Sequence, residues 1–243
     1  MFGIRKKIKR LKKHIKKIKN ILSKNIVFSI GENCLADNIL ARNGLKSFSS
    51  PYASARSNIE YILAFEKEDF KDFLNSEFLM YDDTDKNKVG RNKKYVEVKN
   101  KYHNSCCNGF EFTHHDVIGK DEDRKKINKR FKRLLALRNK NIIMLYHHRI
   151  CSETDMHMLV NHLDELAQIY KKRKNNVHIF LFTQTLIPTE TQRRTEHAVV
   201  SGINCYNLYT MNAWTGENDN YLWARCDNDL LEPMITEIKK KLI

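Results

Sequence analysis

Three short segments rich in apolar and aromatic residues, 141–146, 177–183 and 204–208, most constrain the fold of this 243-residue chain. A segment whose apolar residues recur at helical spacing, 156–172, separates the first two. Short apolar runs of this kind, with little alternation, are typical of strands that are buried on both faces of a parallel sheet. The pattern therefore predicts an α/β fold, a three-layer domain with a mostly parallel central sheet.

The chain opens this domain with a strand, a turn and a helix. Residues 25–30 form a β-rich run that ends at Gly31, and residues 34–42 have helical spacing. This unit commonly begins an α/β sheet. Further patterns predict helices over 58–78, 121–138 and 230–242, a strand at 95–98, irregular structure elsewhere in 82–110, and an edge strand at 221–225.

The N-terminal 24 residues differ in character from the rest. They hold eleven of the 44 basic residues and no acidic one, which leaves 33 basic against 29 acidic residues in 25–243. Apolar residues recur there every three or four positions, at Ile4, Ile8, Leu11, Ile15, Ile18 and Leu22. This spacing predicts a basic amphipathic helix over 1–24, followed by one catalytic α/β domain over 25–243. Such a helix suits an anionic membrane surface, and packing on the domain or on a partner is the alternative. The charge is local, so no specific nucleic-acid partner is expected.

Several protein classes lack support. The sequence has no apolar stretch long enough to span a membrane and no secretory signal, so we expect a cytoplasmic protein, peripheral at the inner face of the cell membrane. Six cysteines without a CxxC pair indicate neither a disulfide framework nor a metal site. The phosphate-binding loop, the dinucleotide fingerprint and the GxSxG elbow are also missing.

Cys34 is the candidate nucleophile. It lies in the turn after the first strand, where ligands collect in open α/β sheets, and near the start of the following helix. Helix N-terminal N–H groups favour a thiolate, so we expect a lowered pKa there, and the same groups could hold an oxyanion. A small buried cysteine that packs the helix on the strand is the alternative.

A thiol nucleophile needs a base, and two histidine pairs lie in suitable places. His115 belongs to His114-His115-Asp116, after an aromatic run, and His148 belongs to His147-His148-Arg149, at the end of a predicted strand. Sequence spacing leaves the choice between His115 and His148 open.

The order of these segments resembles a bacterial family of papain-like cysteine peptidases, whose genes often lie among those for surface polysaccharides. The resemblance rests on Gly31–Cys34, on Ser49-Ser-Pro-Tyr52, on Phe112-Thr-His-His-Asp116 and on the basic stretch 127–133 before the strand at 141–146. It implies that Cys34 is the nucleophile and His115 the base, with Asp116 beside it. In the family, an Asp and a Trp follow the proline, whereas this chain has Pro51-Tyr52-Ala53-Ser54, so the orienting acid would be Asp116 or another residue. The turn is also similar to that of capsule-cluster acyltransferase-like proteins, for which coenzyme A is the implied acyl donor; no permanently bound cofactor is expected.

The sequence thus predicts a cysteine-dependent acyl-transfer enzyme, an acyltransferase or a papain-like hydrolase, acting through a Cys34 thioester in surface-polysaccharide biosynthesis. A glycan or lipid-linked glycan is the expected substrate. Residues predicted to bind the oxyanion or the substrate are Asn33, Ser29, Pro51, His148 and Arg149. The alternatives are a glycosyltransferase, for which the Asp-x-Asp pairs at 83–85, 121–123 and 227–229 have the required spacing, and a non-catalytic, membrane-attached binding protein.

Overall fold

The computed structural model describes residues 23–82, 89–95 and 98–243. Within these ranges the strands are β1 (Asn25–Ser29), β2 (Leu79–Asp82), β3 (Val89–Asn92), β4 (Phe110–Glu111), β5 (Asn141–His147), β6 (Asn176–Leu186), β7 (Arg194–Val200) and β8 (Ile203–Thr210). The α-helices are α1 (Leu35–Arg42), α2 (Ile59–Lys67), α3 (Asp121–Leu135), α4 (Met156–Lys172), α5 (Asp219–Leu222) and α6 (Asn228–Lys240). The basic helix predicted over residues 1–24 falls almost entirely outside the described residues.

A five-stranded sheet forms the centre of the domain, in the order β1-β5-β6-β8-β7. The first four strands are parallel, and β7 is antiparallel to β8. The carboxyl ends of β1, β5 and β6 therefore lie at one edge of the sheet, where ligands collect in such folds. The predicted α/β architecture is confirmed.

Both faces of this sheet are covered, because successive residues of a buried strand point to opposite sides. On one side, Val27, Ile143 and Phe180 pack with apolar residues of α1 and α6. On the other, Ile26 and Ile142 belong to a larger cluster that includes residues of α2, α3 and α4. The continuous apolar runs of the sequence are thus explained by burial on both sides.

A smaller antiparallel sheet, β2-β3-β4, lies beside the main one. The sequence did not predict it, since residues 82–110 show no long periodic segment. An aromatic cluster lies next to β4: the Phe73 ring is within 6 Å, centroid to centroid, of the rings of Phe65, Phe70, Phe110, Phe112 and Phe131. The predicted strand at 95–98 is not formed by Tyr95 or Val98, and its two middle residues are outside the described part of the chain.

Two predicted elements were wrong. The helix expected over 58–78 ends at Lys67, because Asp69 and Phe70 adopt φ values of 49° and 61°, which a helix cannot contain. This reversal directs Phe70 and Phe73 into the aromatic cluster. The edge strand expected at 221–225 is instead the short helix α5 and its cap, and β7 forms that edge of the sheet.

Among the helices of the described residues, none is both long enough and apolar enough to cross a membrane.

Candidate active site at the carboxyl ends of the strands

The turn between β1 and α1 places Cys34 at the edge of the sheet where the parallel strands end. Ile30 N–H donates to Leu145 O (2.9 Å), which extends the pairing of β1 with β5 by one residue. Cys34 is the N-cap residue of α1, and its carbonyl accepts the first helical hydrogen bond from Asn38 N–H (3.0 Å). Its side chain is partly buried. The predicted strand, turn and helix therefore form as expected, with the thiol at the start of the helix.

The pKa of the Cys34 thiol does not follow the sequence-based expectation. Burial raises it, and this effect outweighs the lowering by the residue's own backbone N–H and by the nearby guanidinium groups of Arg56 and Arg149. The Asp37 carboxylate raises it further. The expectation of a lowered pKa was wrong. Removing the thiolate from water costs more free energy than the backbone N–H group and the two guanidinium groups contribute to stabilising it. The resting thiol is consequently protonated at neutral pH, and attack by its sulfur would require a base to take the proton.

Glu32, two residues before Cys34, is the centre of a buried hydrogen-bond network. Its carboxylate accepts bonds from His148 Nδ1 (2.5 Å), from the Tyr146 hydroxyl (3.2 Å) and from the Arg149 backbone N–H (3.0 Å). Its backbone carbonyl accepts from Ser57 N–H (3.1 Å). This fully buried residue joins the turn between β1 and α1, which carries Cys34, to the end of β5 and to the segment before α2. Sequence spacing did not predict this role, because the three donors to the carboxylate lie more than 100 positions away in the chain.

His148 is held on both sides of its ring. A carboxylate only accepts hydrogen bonds, so the bond to Glu32 places a proton on Nδ1. Its Nε2 lies 3.1 Å from Thr154 Oγ1, and this hydroxyl oxygen accepts a bond from Cys151 N–H (2.8 Å). The side chain is only 2% exposed. Thr154 therefore closes the loop after β5, and both nitrogens of His148 are committed to structure.

His115 has a different environment. Its Nδ1 lies 3.6 Å from Asp123 Oδ1, and within the described ranges neither ring nitrogen has a hydrogen-bond partner. Burial lowers its pKa, with smaller contributions in the same direction from Arg130 and Lys126. The imidazole is therefore neutral at neutral pH, which is the form that accepts a proton. No hydrogen bond joins the Cys34 sulfur to His115 or to His148 in the part of the chain that the structure describes.

Among the described residues, Asp116 makes no hydrogen bond with the His115 ring. Its carboxylate accepts from the Tyr81 hydroxyl (2.9 Å) and from Gly119 N–H (2.8 Å), and the latter bond is the main cause of its lowered pKa. Asp123, at the first turn of α3, is the acid nearest to His115.

Of the other residues predicted to bind the oxyanion or the substrate, three support the local structure around Cys34 and one lines a cleft. The Ser29 hydroxyl donates to Asp37 Oδ1 (3.1 Å), and Pro51 begins a buried 3-10 turn, so both support the fold around the turn. Asn33 Oδ1 accepts from Leu35 N–H (2.9 Å), which fixes the start of α1. Arg149 lines an open cleft.

This cleft has a volume of about 500 Å³ and lies at the carboxyl ends of β5 and β6. One wall is the segment around Trp214, which Gln184 holds through a bond from Trp214 N–H to its side-chain oxygen (3.2 Å). The Trp214 indole N–H donates to the buried Asp227 carboxylate (2.9 Å). The lining residues are His103, His147, Arg149, Ile150, Gln184, Thr185, Leu186, Ala213, Trp214 and Thr215.

The acidic pairs that would suit a glycosyltransferase have other partners here. Asp227 and Asp229 both pair with Arg193 (3.1 and 2.8 Å), and Asp123 pairs with Lys126 (2.8 Å). The pair at 83–85 is outside the described residues. In those that are described, no three histidine, cysteine or acidic side chains group as metal ligands.

Comparison with known proteins gives one match. Neither the curated proteins nor the solved structures searched include a protein that matches this chain. A family model matches residues 25–202, which covers most of the chain, from β1 to the loop after β7. The matched range carries the Cys34 turn, His115 and the Glu32–His148 network. The chain belongs to the family described as "putative papain-like cysteine peptidase (DUF1796)".

Proposed function

We propose that this protein is a cysteine-dependent acyl-transfer enzyme in which Cys34 forms a thioester. The position of Cys34 carries the proposal: a partly buried thiol at the start of α1, at the edge of the sheet where the parallel strands end. Backbone N–H groups at the start of a helix are suited to hold an oxyanion. Membership of a cysteine peptidase family supports the same chemistry at family level.

His115 is the better candidate for the base. His148 already donates to Glu32 and contacts Thr154 through its second nitrogen, so it has no free position for a substrate or thiol proton. His115 is neutral, and among the described residues neither of its ring nitrogens has a hydrogen-bond partner; Asp123 is near enough to stabilise the imidazolium that forms. The proposal requires His115 to come within reach of the Cys34 sulfur in the substrate complex, where catalytic hydrogen bonds commonly tighten.

The chemistry then runs in two half-reactions. The Cys34 thiol gives its proton to a ring nitrogen of His115, and its sulfur attacks the acyl carbon. The bond from that carbon to the leaving group breaks, and the leaving group takes the proton from His115. In the second half, an acceptor hydroxyl or water gives its proton to His115 and attacks the thioester. The carbon–sulfur bond breaks, and the proton returns to Cys34.

The acceptor we propose is a sugar hydroxyl of a surface glycan or of its lipid-linked precursor, with coenzyme A as the carrier of the acyl group. The basic, amphipathic pattern of residues 1–24 would hold the enzyme at the anionic surface where such a substrate lies. Hydrolysis of a peptide or ester uses the same residues and differs only in whether water reaches the thioester.

A non-catalytic binding protein is the second candidate, and the raised pKa of Cys34 favours it. An unassisted thiol with a raised pKa reacts more slowly at neutral pH than an unfolded one, because less of it is thiolate. A folded Cys34 that reacts as fast as an unfolded cysteine, or faster, therefore requires a base.

The test is the rate of Cys34 alkylation by iodoacetamide at several pH values, followed by peptide mass spectrometry. The variants are wild type and His115→Gln, with His114→Gln as the matched control because His114 is the exposed neighbour. Urea-unfolded protein supplies the reference rate. We expect folded wild type and His114→Gln to exceed the reference at neutral pH, and His115→Gln to lose about tenfold or more. Equal rates in all three folded proteins, below the reference, would favour the binding protein.

A further inference from the structure

The cleft near Cys34 contains a cation, the Arg149 guanidinium, to which the described residues offer no paired anion. Arg149 uses only its backbone N–H to bond Glu32, and within the described ranges its guanidinium group has neither an ion pair nor a hydrogen bond. The side chain is partly buried and lines the cleft. A partly desolvated guanidinium costs free energy unless an anion pairs with it. The Glu32 carboxylate, to which the Arg149 backbone N–H donates, already accepts from three donors.

A second polar group in the cleft is also unoccupied. His147 is 2% exposed, and no hydrogen-bond partner of its Nδ1 is found among the described residues. Its ring stacks on Phe182 (4.7 Å between centroids) and lies 5.7 Å from the Trp214 ring. Burial lowers its pKa well below the usual value, and Arg149 adds to this effect. A neutral imidazole has one donor and one acceptor nitrogen, so among the described residues the hydrogen bond of this ring at Nδ1 is left unmet.

Arg149 also connects the cleft to the nucleophile. Cys34 does not line the cleft, but the Arg149 guanidinium is close enough to favour its thiolate. Part of the lining is apolar: the Trp214 ring is held by its bond to Asp227, and Ile150 and Leu186 are more than half exposed. A charged end and an apolar wall in one cleft are typical of sites that orient an amphipathic ligand.

We propose that this cleft binds a carboxylate or phosphate group of the acyl donor, with the Arg149 guanidinium as its counter-charge and Trp214 as its apolar wall. The acyl carbon then extends past Arg149 to Cys34. This inference deepens the proposed function and rests on it for the identity of the ligand as an acyl donor. The anion site itself is testable without any acyl transfer.

The first experiment compares two alkylating reagents of nearly equal size, anionic iodoacetate and neutral iodoacetamide, at constant ionic strength. We expect the iodoacetate-to-iodoacetamide rate ratio at Cys34 to exceed that of glutathione about tenfold, and the iodoacetate rate to saturate with concentration. Arg149→Met removes the guanidinium and keeps the backbone bond to Glu32. Arg56→Met is the matched control, because Arg56 also favours the Cys34 thiolate but does not line the cleft. The ratio and the saturation should be lost only in Arg149→Met.

The second experiment does not depend on the thiol. The indole N–H resonance of Trp214, assigned with Trp214→Phe, is followed while inorganic phosphate or acetate is added to wild type and to Cys34→Ala. A saturable shift in both proteins that is absent in Arg149→Met supports the site. The anion that produces it at the lower concentration identifies phosphate or carboxylate as the preferred group.

The two proposals can fail separately. A reactive Cys34 with the reagent ratio of glutathione and no saturable Trp214 shift overturns the anion site and leaves acyl transfer standing. An unreactive Cys34 with a saturable shift that requires Arg149 overturns acyl transfer and retains the anion site. Equal effects of Arg56→Met and Arg149→Met would mean general electrostatic attraction and would overturn the site as placed.

Discussion

Glu66 offers the sharpest test of the energetics of this core. This carboxyl group on α2 is 1% exposed and accepts hydrogen bonds from the hydroxyls of Tyr52 (3.0 Å) and Tyr170 (2.7 Å). Arg173 lies 3.7 Å away. Burial raises its pKa from 4.5 to about 7, although both hydroxyls and the guanidinium oppose this effect.

The raised pKa makes stability depend on pH with a definite sign. Between pH 4.5 and about 7 the folded state keeps the Glu66 proton and the unfolded state has lost it. The unfolded state binds fewer protons, so the free energy of unfolding falls as pH rises, by about 1.4 kcal/mol for each pH unit. Over this window the loss is on the order of 3 kcal/mol, and it is complete above the folded pKa.

Glu66→Gln removes the titrating group and retains an oxygen for the two tyrosines. The amide NH₂ group of the glutamine then lies next to the Arg173 guanidinium, and two donors face each other. We therefore expect the variant to be less stable than wild type at low pH. We expect its stability relative to wild type to improve by about 3 kcal/mol from pH 4.5 to 8. The assay is urea unfolding at a series of pH values, followed by circular dichroism. Glu165→Gln, which removes an exposed ion pair with Lys67, is the control and should change stability by less than about 1 kcal/mol. A flat difference between Glu66→Gln and wild type, or one that worsens as pH rises, would mean that the carboxylate is ionised and paired throughout.

Two further pairs of variants test the turn that carries Cys34 and the small sheet. Glu32→Gln removes the charge that accepts from His148, Tyr146 and Arg149, and we expect it to lower the free energy of unfolding by about 2–4 kcal/mol; Tyr146→Phe, which removes only the 3.2 Å bond, should cost about 1 kcal/mol in the same urea titration. A smaller loss in Glu32→Gln than in Tyr146→Phe would show that Glu32 is not the centre of the network. Gly109→Ala places a Cβ 2.5 Å from Asn92 O at a φ of +73°, whereas Gly216→Ala has a similar φ of +86° with open space around it. We expect a loss of about 1 kcal/mol at Gly216 and clearly more at Gly109, and equal losses would mean that strand β3 moves aside freely.

The strands of the main sheet could be predicted from sequence wherever burial is two-sided. Residues 142–146 of β5 pack alternately into both clusters, so each of these positions is apolar or aromatic and the run is visible in the sequence without any partner strand. β7 was not predicted, because most of its side chains are exposed and its backbone bonds to β8 hold it in place. A strand that depends on its neighbour for stability has no hydrophobic pattern of its own.

The candidate site shows the same division. The turn glycine, the cysteine and the following helix are local features, so the sequence predicted Cys34 at the start of α1. The role of Glu32 was not predictable, because its three donors come from the end of β5, more than 100 positions away. The same contacts argue against His148 as the base, a choice that spacing left open.

The sequence by itself determined the α/β class, the positions of the central strands along the chain and the placement of a thiol at the start of a helix. It could do so because hydrophobic periodicity and helix capping act over a few residues. Only the tertiary structure decided the ionisation of that thiol. The helix terminus that favours a thiolate is local, but the burial that opposes it arises only in the packed chain, in which Arg56 and Arg149 lie near the thiol. Burial and the proximity of charges depend on how the whole chain packs. They determine the pKa values of the candidate residues and which side chains remain available for chemistry.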